Sequence, residues 1–287
     1  MLRLGIDIGG SKIALAGRSD LRTLFTARFA IDDEAMPVAV LSAMAEYLDR
    51  QCARWGLVDS IAIASAPNLD SDGCVERWPN RPNWEGTSII SALAPFVRRK
   101  ILWCDDGTAA TLADAWTLGA SNLIHFSLGT GVGGGIYFNR RILQDRELGH
   151  LLVHPGGLPC VCGRNGCLQA YVSGRALELL AHNNPADVAE MHWFAQATQA
   201  IAACSSNLIE LFHSTQITLS GGLTRRFPAL PAAIKCELRD KFLKKPTSLP
   251  EIRLSPHGSD ASLQGALALA DADDEGQAAA CRQWAAV

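Results

Sequence analysis

Short hydrophobic runs, alternating or unbroken, predict a strand-rich first half of the chain. The predicted strands lie at 2–8, 12–17, 23–29, 60–66 and 100–104. The last two runs are unbroken, which is typical of buried parallel strands. Apolar residues spaced three or four apart predict a helix over 37–55. The segment 70–86 has no clear period and is predicted to be a long loop.

The strand, glycine turn and strand that open the chain recur in its second half. The recurrence comprises a strand over 123–127, a glycine-rich turn over 129–135 and a returning strand over 134–138. A helix over 108–119 joins the halves, and the remainder is mostly helical apart from a strand over 216–220. We therefore predict two related α/β lobes, 1–118 and 119–287, with a ligand in the central cleft; the C-terminal helix is free to return to the first lobe.

Composition narrows the class of protein. Hydrophobic residues make up 48% of the 287 residues and charged residues 19%, which is typical of a folded domain with a large core. The net charge of −3 provides no basic surface for nucleic acid. No apolar stretch approaches the roughly 18 residues of a membrane span, and no signal peptide is visible. Nine cysteines, three of them clustered, favour metal ligation in the reducing cytoplasm over disulfides.

The turn Asp7-Ile8-Gly9-Gly10-Ser11-Lys12 is a candidate phosphate-binding loop. Glycines let backbone N–H groups approach phosphate oxygens, Ser11 and Lys12 add donors, and Asp7 can hold Mg²⁺ directly or through water. The spacing is not that of a Walker A loop. An ordinary hairpin turn is the alternative.

The second glycine turn, within Ser127–Gly135, has five glycines in seven residues. So many glycines cost backbone entropy, and a second phosphate cradle explains them. The candidate ligands are Gly129, Thr130, Gly131 and Gly133. A purely structural hairpin is the alternative here. Two such loops in one chain predict ATP as the phosphoryl donor.

Asp105 and Asp106 follow the buried strand that ends at Cys104. Carboxylates at the end of such a strand face the ligand site in α/β folds. Transfer of a phosphoryl group requires a carboxylate that accepts the proton of the attacking hydroxyl, and Asp106 is the candidate. The alternative is that either aspartate caps the following helix.

One histidine and three cysteines form the most specific pattern in the chain. Glu147-Leu148-Gly149-His150 precedes the run from Cys160 through Cys162 to Cys167. Four N/S ligands are those of a closed, structural zinc site. His154 is a rival to His150 on spacing alone, and chance clustering of free thiols is the alternative.

Together these motifs resemble the ROK family of sugar kinases and repressors, in the actin/hexokinase-like (ribonuclease H-like) superfamily. The similarity extends from Gly5 to about Ala268. It implies that His150, Cys160, Cys162 and Cys167 bind zinc and that Glu147 and His150 also face the sugar. It further implies that Ser220-Gly221-Gly222-Leu223 lies on the adenosine side, with Gly221 and Gly222 as its contacts, that Gly258–Ala268 forms a closing helix, and that the protein is a homodimer.

Three departures from the family pattern fall on the expected substrate side. Asp105 stands where the family usually has asparagine, Gln169 where it has glutamate, and Pro67-Asn68 where it has Pro-Gly. A carboxylate in place of an amide removes a donor and adds charge, so ordinary glucose specificity is not expected. We therefore predict that Asp105 faces an ammonium group or a repositioned hydroxyl of the acceptor, which would then be an amino sugar or a cyclitol.

The predicted function is that of an ATP-dependent kinase acting on a hexose, amino sugar, N-acetylhexosamine or cyclitol, at the terminal hydroxymethyl. Its cofactors are Mg²⁺ and a structural Zn²⁺. The expected acceptor contacts are Asn68, Asn80, Asp105, Glu147, His150 and Gln169. The rivals are a sugar-responsive repressor and an inactive sugar-binding protein. Because six residues precede Asp7, no DNA-binding helix-turn-helix is expected there.

Overall fold

The computed structural model describes residues 1–20, 22–32, 36–78, 81–143, 147–242, 249–272 and 282–285. Contacts divide the chain into two compact units, Met1–Ala113 with Ser262–Val287, and Asp114–Ala261. The division falls inside one helix, and the last described helix belongs to the first unit. The lobe boundary after residue 118 stays a prediction.

The first unit is built on a six-stranded sheet. Its strands are β1 (Leu2–Ile8), β2 (Lys12–Ser19), β3 (Arg22–Ala30), β4 (Val58–Ser65), β7 (Val97–Asp105) and β13 (Arg282–Ala285), in the order β13-β7-β4-β1-β2-β3. Strand β4 is parallel to both β1 and β7, so these three end at the same edge of the sheet. A separate pair, β5 (Asn68–Leu69) and β6 (Val75–Arg77), follows β4.

Apolar helix faces cover this sheet. Helix α1 (Pro37–Trp55) buries Val40, Leu41, Met44 and Leu48, spaced as an amphipathic helix requires. The others are α2 (Ile89–Leu93), the first part of α3 (Asp106–Thr117), and α9 (Ala261–Asp271), with short 3₁₀ turns at Pro82–Trp84 and Ala94–Phe96. Gly5 and Gly265 allow α9 to approach closely, because a Cβ at either would collide with a neighbouring residue.

The second unit contains a five-stranded sheet and most of the remaining helices. Its strands are β8 (Leu123–Leu128), β9 (Val132–Phe138), β10 (Arg141–Leu143), β11 (Gln216–Ser220) and β12 (Glu251–Leu254), in the order β10-β9-β8-β11-β12. The helices are α4 (Gln169–Val172), α5 (Gly174–Asn183), α6 (Ala186–Phe212), α7 (Gly222–Arg226) and α8 (Leu230–Glu237), with a π turn at Leu238–Phe242 and 3₁₀ turns at Leu148–His150 and Gly258–Asp260. Strands β8 and β11 are parallel, so both end at one edge.

The predicted strands and the first helix match the structure to within a few residues. The described part of the segment 70–86 contains β6 and a 3₁₀ turn where the sequence predicts only a loop, and Trp78 and Trp84 are buried edge to face with ring centroids 5.4 Å apart. The linking helix begins at Asp106, two residues before its predicted start. Among the described residues, no helix combines the length and the apolar character needed to span a bilayer.

Candidate active site and metal centre

The first glycine turn connects β1 to β2 at the edge where the parallel strands end. The N–H of Gly9 donates to the carbonyl of Lys12 at 3.0 Å, which closes the turn. Asp7 lies next to last in β1 and is 8% exposed. A Cβ at Gly10 would meet nothing within 4 Å, so the fold itself leaves room for a side chain here. The open space fits a loop whose backbone must approach a phosphate.

Arg81 holds this turn, a role that the sequence does not reveal. Its Nε donates to the backbone carbonyl of Gly10 at 3.0 Å. Its Nη2 donates to the backbone carbonyl of Ile31 at 2.9 Å, and its Nη1 to the backbone carbonyl of Asp32 at 2.5 Å. One guanidinium thus fixes the glycine turn to the segment that follows β3. Asn80, the neighbouring predicted acceptor contact, lies outside the described residues.

Asp105 and Asp106 lie where β7 passes into α3. Oδ1 of Asp105 accepts from the Thr108 N–H at 2.8 Å, and its Oδ2 accepts from the Thr108 hydroxyl. Asp105 therefore caps α3, the alternative raised by the sequence. Each carboxylate oxygen has a further lone pair, so capping and ligand binding are compatible. Asp106 is the first residue of the helix and is half-buried.

Ser65 organises the turn that leads to Asn68. The indole N–H of Trp103 donates to the Ser65 hydroxyl at 2.6 Å, and that hydroxyl donates to the carbonyl of Pro67 at 2.7 Å. Asn68 is exposed at the start of β5. Strand β4 ends beside β1 and β7, so this turn, Asp105 and the Asp7 turn occupy one edge of the sheet.

The second glycine turn joins β8 to β9 in the second unit. The N–H of Gly129 donates to the carbonyl of Gly131 at 3.0 Å, and Thr130 is exposed at the tip. A Cβ at Gly129 would meet nothing within 4 Å. Gly133, also a predicted contact, lies inside β9 opposite Ser127 rather than in the turn.

Glu147 precedes a 3₁₀ turn that ends with His150 and packs against the start of β9. A Cβ at Gly149 would collide with the carbonyl of Val132, so only glycine allows this approach. Glu147 is exposed and His150 is half-buried. The turn therefore brings two predicted acceptor contacts beside the second glycine turn.

His150, Cys160, Cys162 and Cys167 form a cluster whose ligand atoms all lie within 4.8 Å of one another. His150 Nδ1 is 3.6 Å from Cys160 Sγ, and Cys162 Sγ is 3.6 Å from Cys167 Sγ. Zinc–ligand bonds of about 2.0–2.3 Å give tetrahedral edges of about 3.6 Å for N–S and about 3.8 Å for S–S. These two distances match edges of a tetrahedral zinc site, so the donor set and its spacing are compatible with zinc. His154 is absent from this cluster.

Arg164 shapes the electrostatics of the cluster. Hydrogen bonds from its backbone N–H and then its guanidinium lower the pKa of Cys162 to about 6. Burial, followed by the neighbouring thiols, raises the pKa of Cys167 to about 11. The guanidinium of Arg164 also donates to the carbonyl of His150 at 2.9 Å. Thiols bind metal as thiolates, so an ion here would displace the remaining protons.

Gln169 opens α4 two residues after the last cysteine of the cluster. Its Nε2 donates to Cys160 Sγ at 3.5 Å, and its Oε1 accepts from the Val132 N–H at 3.4 Å. It lies between the metal cluster and the second glycine turn.

A buried polar network joins β8 to the end of β11, just before Gly221, and the sequence does not predict it. Nε2 of His125 is 2.9 Å from the Ser220 hydroxyl, and its Nδ1 is 2.8 Å from Asp114 Oδ2. Neither His125 nor Asp114 is exposed to solvent. A Cβ at Gly221 would collide with the backbone of Leu128, so this turn packs against the end of β8. Gly222 opens α7, with space for a Cβ.

Comparison with known proteins places the chain in a family. A profile of the ROK family matches residues 3–273, so the chain belongs to the ROK family. Kanosamine kinase of Amycolatopsis mediterranei is 32% identical, with 93% of this chain and 95% of that protein covered. N-acetyl-D-glucosamine kinase of Yersinia pseudotuberculosis is 27% identical over 91% of this chain and 96% of its own.

A solved structure supports the fold. The ROK hexokinase of Thermus thermophilus has a TM-score of 0.77 and 27% identity, and the match covers 93% of this chain and 97% of the hexokinase. The predicted α/β class of the actin/hexokinase-like type is confirmed. The predicted site residues stay predictions.

Proposed function

We propose that the protein is an ATP-dependent kinase that phosphorylates a hydroxyl of an amino sugar. Its curated relatives are sugar kinases, and they confirm the predicted enzyme class. The observation that carries the proposal is the Asp105-Asp106 pair at the sheet edge that also bears the Asp7 glycine turn. Carboxylates and a glycine turn at the ends of parallel strands are the parts that phosphoryl transfer requires.

Asp106 is the proposed base. The attacking hydroxyl loses its proton as it bonds to the γ-phosphorus of ATP, and one oriented carboxylate accepts that proton. The glycine turns at Gly9-Gly10 and Gly129–Gly131 supply backbone N–H groups to phosphate oxygens. Asp7 would hold Mg²⁺, which neutralises phosphate charge when bound. The terminal hydroxymethyl is the proposed site of transfer.

The proposed zinc ion is structural. His150, Cys160, Cys162 and Cys167 would occupy all four tetrahedral positions and leave none for substrate. The cytoplasm is the proposed compartment, because three cysteines arranged as metal ligands are typical of a reducing environment. The predicted homodimer also belongs to the proposal.

Replacement of Asp106 by asparagine tests the kinase function directly. The asparagine amide keeps the shape of the side chain but accepts a proton poorly, so we expect kcat to fall by about 100-fold or more. KM for ATP should change little, because the aspartate is proposed to act on the acceptor. Initial rates of ADP formation, with acceptor and ATP varied in turn, provide both constants.

Equal turnover by wild type and Asp106→Asn would remove Asp106 from this role. The absence of transfer to every sugar by the wild type would favour the rival, a sugar-binding regulator. An exposed carboxylate replaced in the same way, Asp49→Asn on α1, is the matched control.

The acceptor class rests on Asp105. Its carboxylate adds a negative charge where an amide is usual in the family, and a protonated amine complements that charge. The kanosamine kinase relative supports an amino sugar as the acceptor. N-acetylation removes the positive charge, so N-acetyl-D-glucosamine is expected to be a poorer acceptor than a free amine.

A panel of acceptors measured with wild type and Asp105→Asn tests this choice. Hydrogen bonds to charged groups contribute about 1.5–3 kcal/mol. The ratio of kcat/KM for kanosamine over glucose should therefore fall by about 10- to 150-fold in the variant. Asparagine also caps helices well, so α3 should remain intact. Glucose or N-acetyl-D-glucosamine preferred by the wild type over kanosamine and glucosamine would overturn the amino-sugar class.

A further inference from the structure

The chain that follows the last cysteine of the metal cluster also holds the second glycine turn. The N–H of Gly174 donates to the carbonyl of Gly129 at 2.8 Å, and that of Arg175 to Thr130 at 3.4 Å. A Cβ at Gly174 would lie 3.1 Å from that same Gly129 carbonyl, so the two backbones are in close contact. The first half of the glycine turn is thus held by backbone seven and eight residues beyond Cys167.

Gln169 holds the other half of the turn. Its Oε1 accepts from the Val132 N–H at 3.4 Å, just after Gly131. Its Nε2 donates to Cys160 Sγ at 3.5 Å. An amide is suited to this position, because it offers an acceptor to the N–H and a donor to the thiolate. A glutamate could accept from Val132, but it could not donate to sulfur and would repel a thiolate.

The Gln169 side chain therefore links Cys160 Sγ directly to the glycine turn. When all four ligands bind one ion, Cys160 Sγ becomes a fixed acceptor, and the Gln169 amide has one favoured orientation. In that orientation Oε1 faces the Val132 N–H and the turn loses freedom. A turn that is ordered before the nucleotide arrives binds it with a smaller entropic cost. Side chains that hydrogen-bond to metal ligands commonly orient those ligands and alter metal affinity.

We propose that Gln169 couples the metal centre to the nucleotide turn, so that zinc bound by His150 and the three cysteines tightens nucleotide binding. This inference rests on the proposed function, because it takes the Gly129–Gly131 turn as a nucleotide contact. It assigns Gln169 a positioning role that differs from the acceptor contact implied by family resemblance. Coupling between two binding equilibria is reciprocal, so bound nucleotide must raise the affinity for zinc by the same factor.

The test measures binding rather than catalysis. Isothermal titration with Mg·ADP, on zinc-loaded and chelator-treated protein, gives the two dissociation constants without any sugar. We expect loading to lower the Kd by about 5-fold or more, within the usual range of coupling between sites. In Gln169→Ala and Gln169→Glu this factor should fall towards one. Gln199→Ala, an exposed amide on α6, is the matched control and should keep the wild-type factor.

A second measurement starts from zinc-loaded protein, in case the depleted form does not remain folded long enough for titration. Zinc affinity, from competition with a chromogenic chelator, should rise when Mg·ADP saturates the wild type and stay unchanged in Gln169→Ala. Coupling that persists in Gln169→Ala, or is absent from the wild type, overturns the inference. A wild type that transfers phosphate without such coupling leaves the proposed function intact, whereas a protein that binds no nucleotide overturns both.

Discussion

At the scale of single residues, Asp114 shows how a buried charge is stabilised. It accepts hydrogen bonds from His125 at 2.8 Å and Ser255 at 2.7 Å, and from Thr218. Burial alone raises the pKa of this carboxyl, but the hydrogen bonds and charge of His125, with Thr218 and Ser255, outweigh it and lower the pKa overall. The ionised form is therefore the one that the folded protein favours.

This lowered pKa makes part of the stability dependent on pH. The contribution is complete above the unfolded pKa of about 3.9 and is lost as the pH falls through the lower folded value. We expect Asp114→Asn to be less stable at pH 7 by on the order of 3 kcal/mol, because it leaves buried partners uncompensated. Urea unfolding from pH 7 to pH 3 measures the difference, which should shrink below about pH 4.

Asp49→Asn serves as control here too, with an expected change within about 0.5 kcal/mol. A difference between wild type and Asp114→Asn that is constant across this pH range would show that the charge of Asp114 does not stabilise the fold.

At the scale of secondary-structure elements, Gly265 and Gly10 of the first unit differ in their surroundings: one lies in a tight helix contact and the other in open space. A Cβ at Gly265 of α9 would collide with the carbonyl of Ala109 in α3, while one at Gly10 meets nothing within 4 Å. Helix α9 also reaches the start of α3, where the Ser262 hydroxyl donates to the carbonyl of Asp106 at 3.2 Å. The close packing of α9 thus supports the helix that carries the proposed base.

Alanine at these two glycines should separate folding from binding. Gly265→Ala is expected to cost about 1–3 kcal/mol through overpacking, and to lower kcat because α3 shifts. Gly10→Ala should leave the thermal midpoint nearly unchanged but raise KM for ATP, since its methyl group fills space next to the proposed phosphate site. Thermal unfolding and steady-state kinetics of both variants provide the comparison. A destabilised Gly10→Ala with normal KM would assign that turn a purely structural role.

Across elements, local patterns predicted strands and helices better than loops. The apolar runs of β1, β4 and β7 predict buried strands, because the whole pattern lies within one element and does not depend on distant residues. The segment 70–86 has no period and is predicted to be a loop, whereas its described residues pack through Trp78 against Trp84 and through the hydrogen bond from Arg81 to the Gly10 carbonyl. Contacts of that kind join residues with no fixed spacing in sequence, so periodicity cannot reveal them.

At the scale of the whole molecule, each unit collects its candidate residues at one sheet edge. In the first unit, Asp7 is next to last in β1, Asn68 follows β4 and Asp105 ends β7, and these three strands are parallel. In the second unit, the Gly129 and Gly221 turns follow the parallel strands β8 and β11. The sequence predicted both glycine turns and their recurrence, and family membership confirms the class of fold. We propose that the acceptor is selected at the few positions where the chain departs from its family.

The sequence by itself predicted β1–β4, β7–β9, β11, α1 and α3, together with both glycine turns and the three clustered cysteines, because each is encoded by spacing within a short segment. Spacing alone left His154 as a rival to His150, and the structure places His150 in the cluster. Only the tertiary structure showed that Asp105 caps α3, that Gln169 reaches both Cys160 and Val132, and that Asp114 is bonded to Ser255, 141 residues away. These roles depend on which distant side chains meet after folding. A residue type states what a side chain can donate or accept, while the packing of the chain decides its partner.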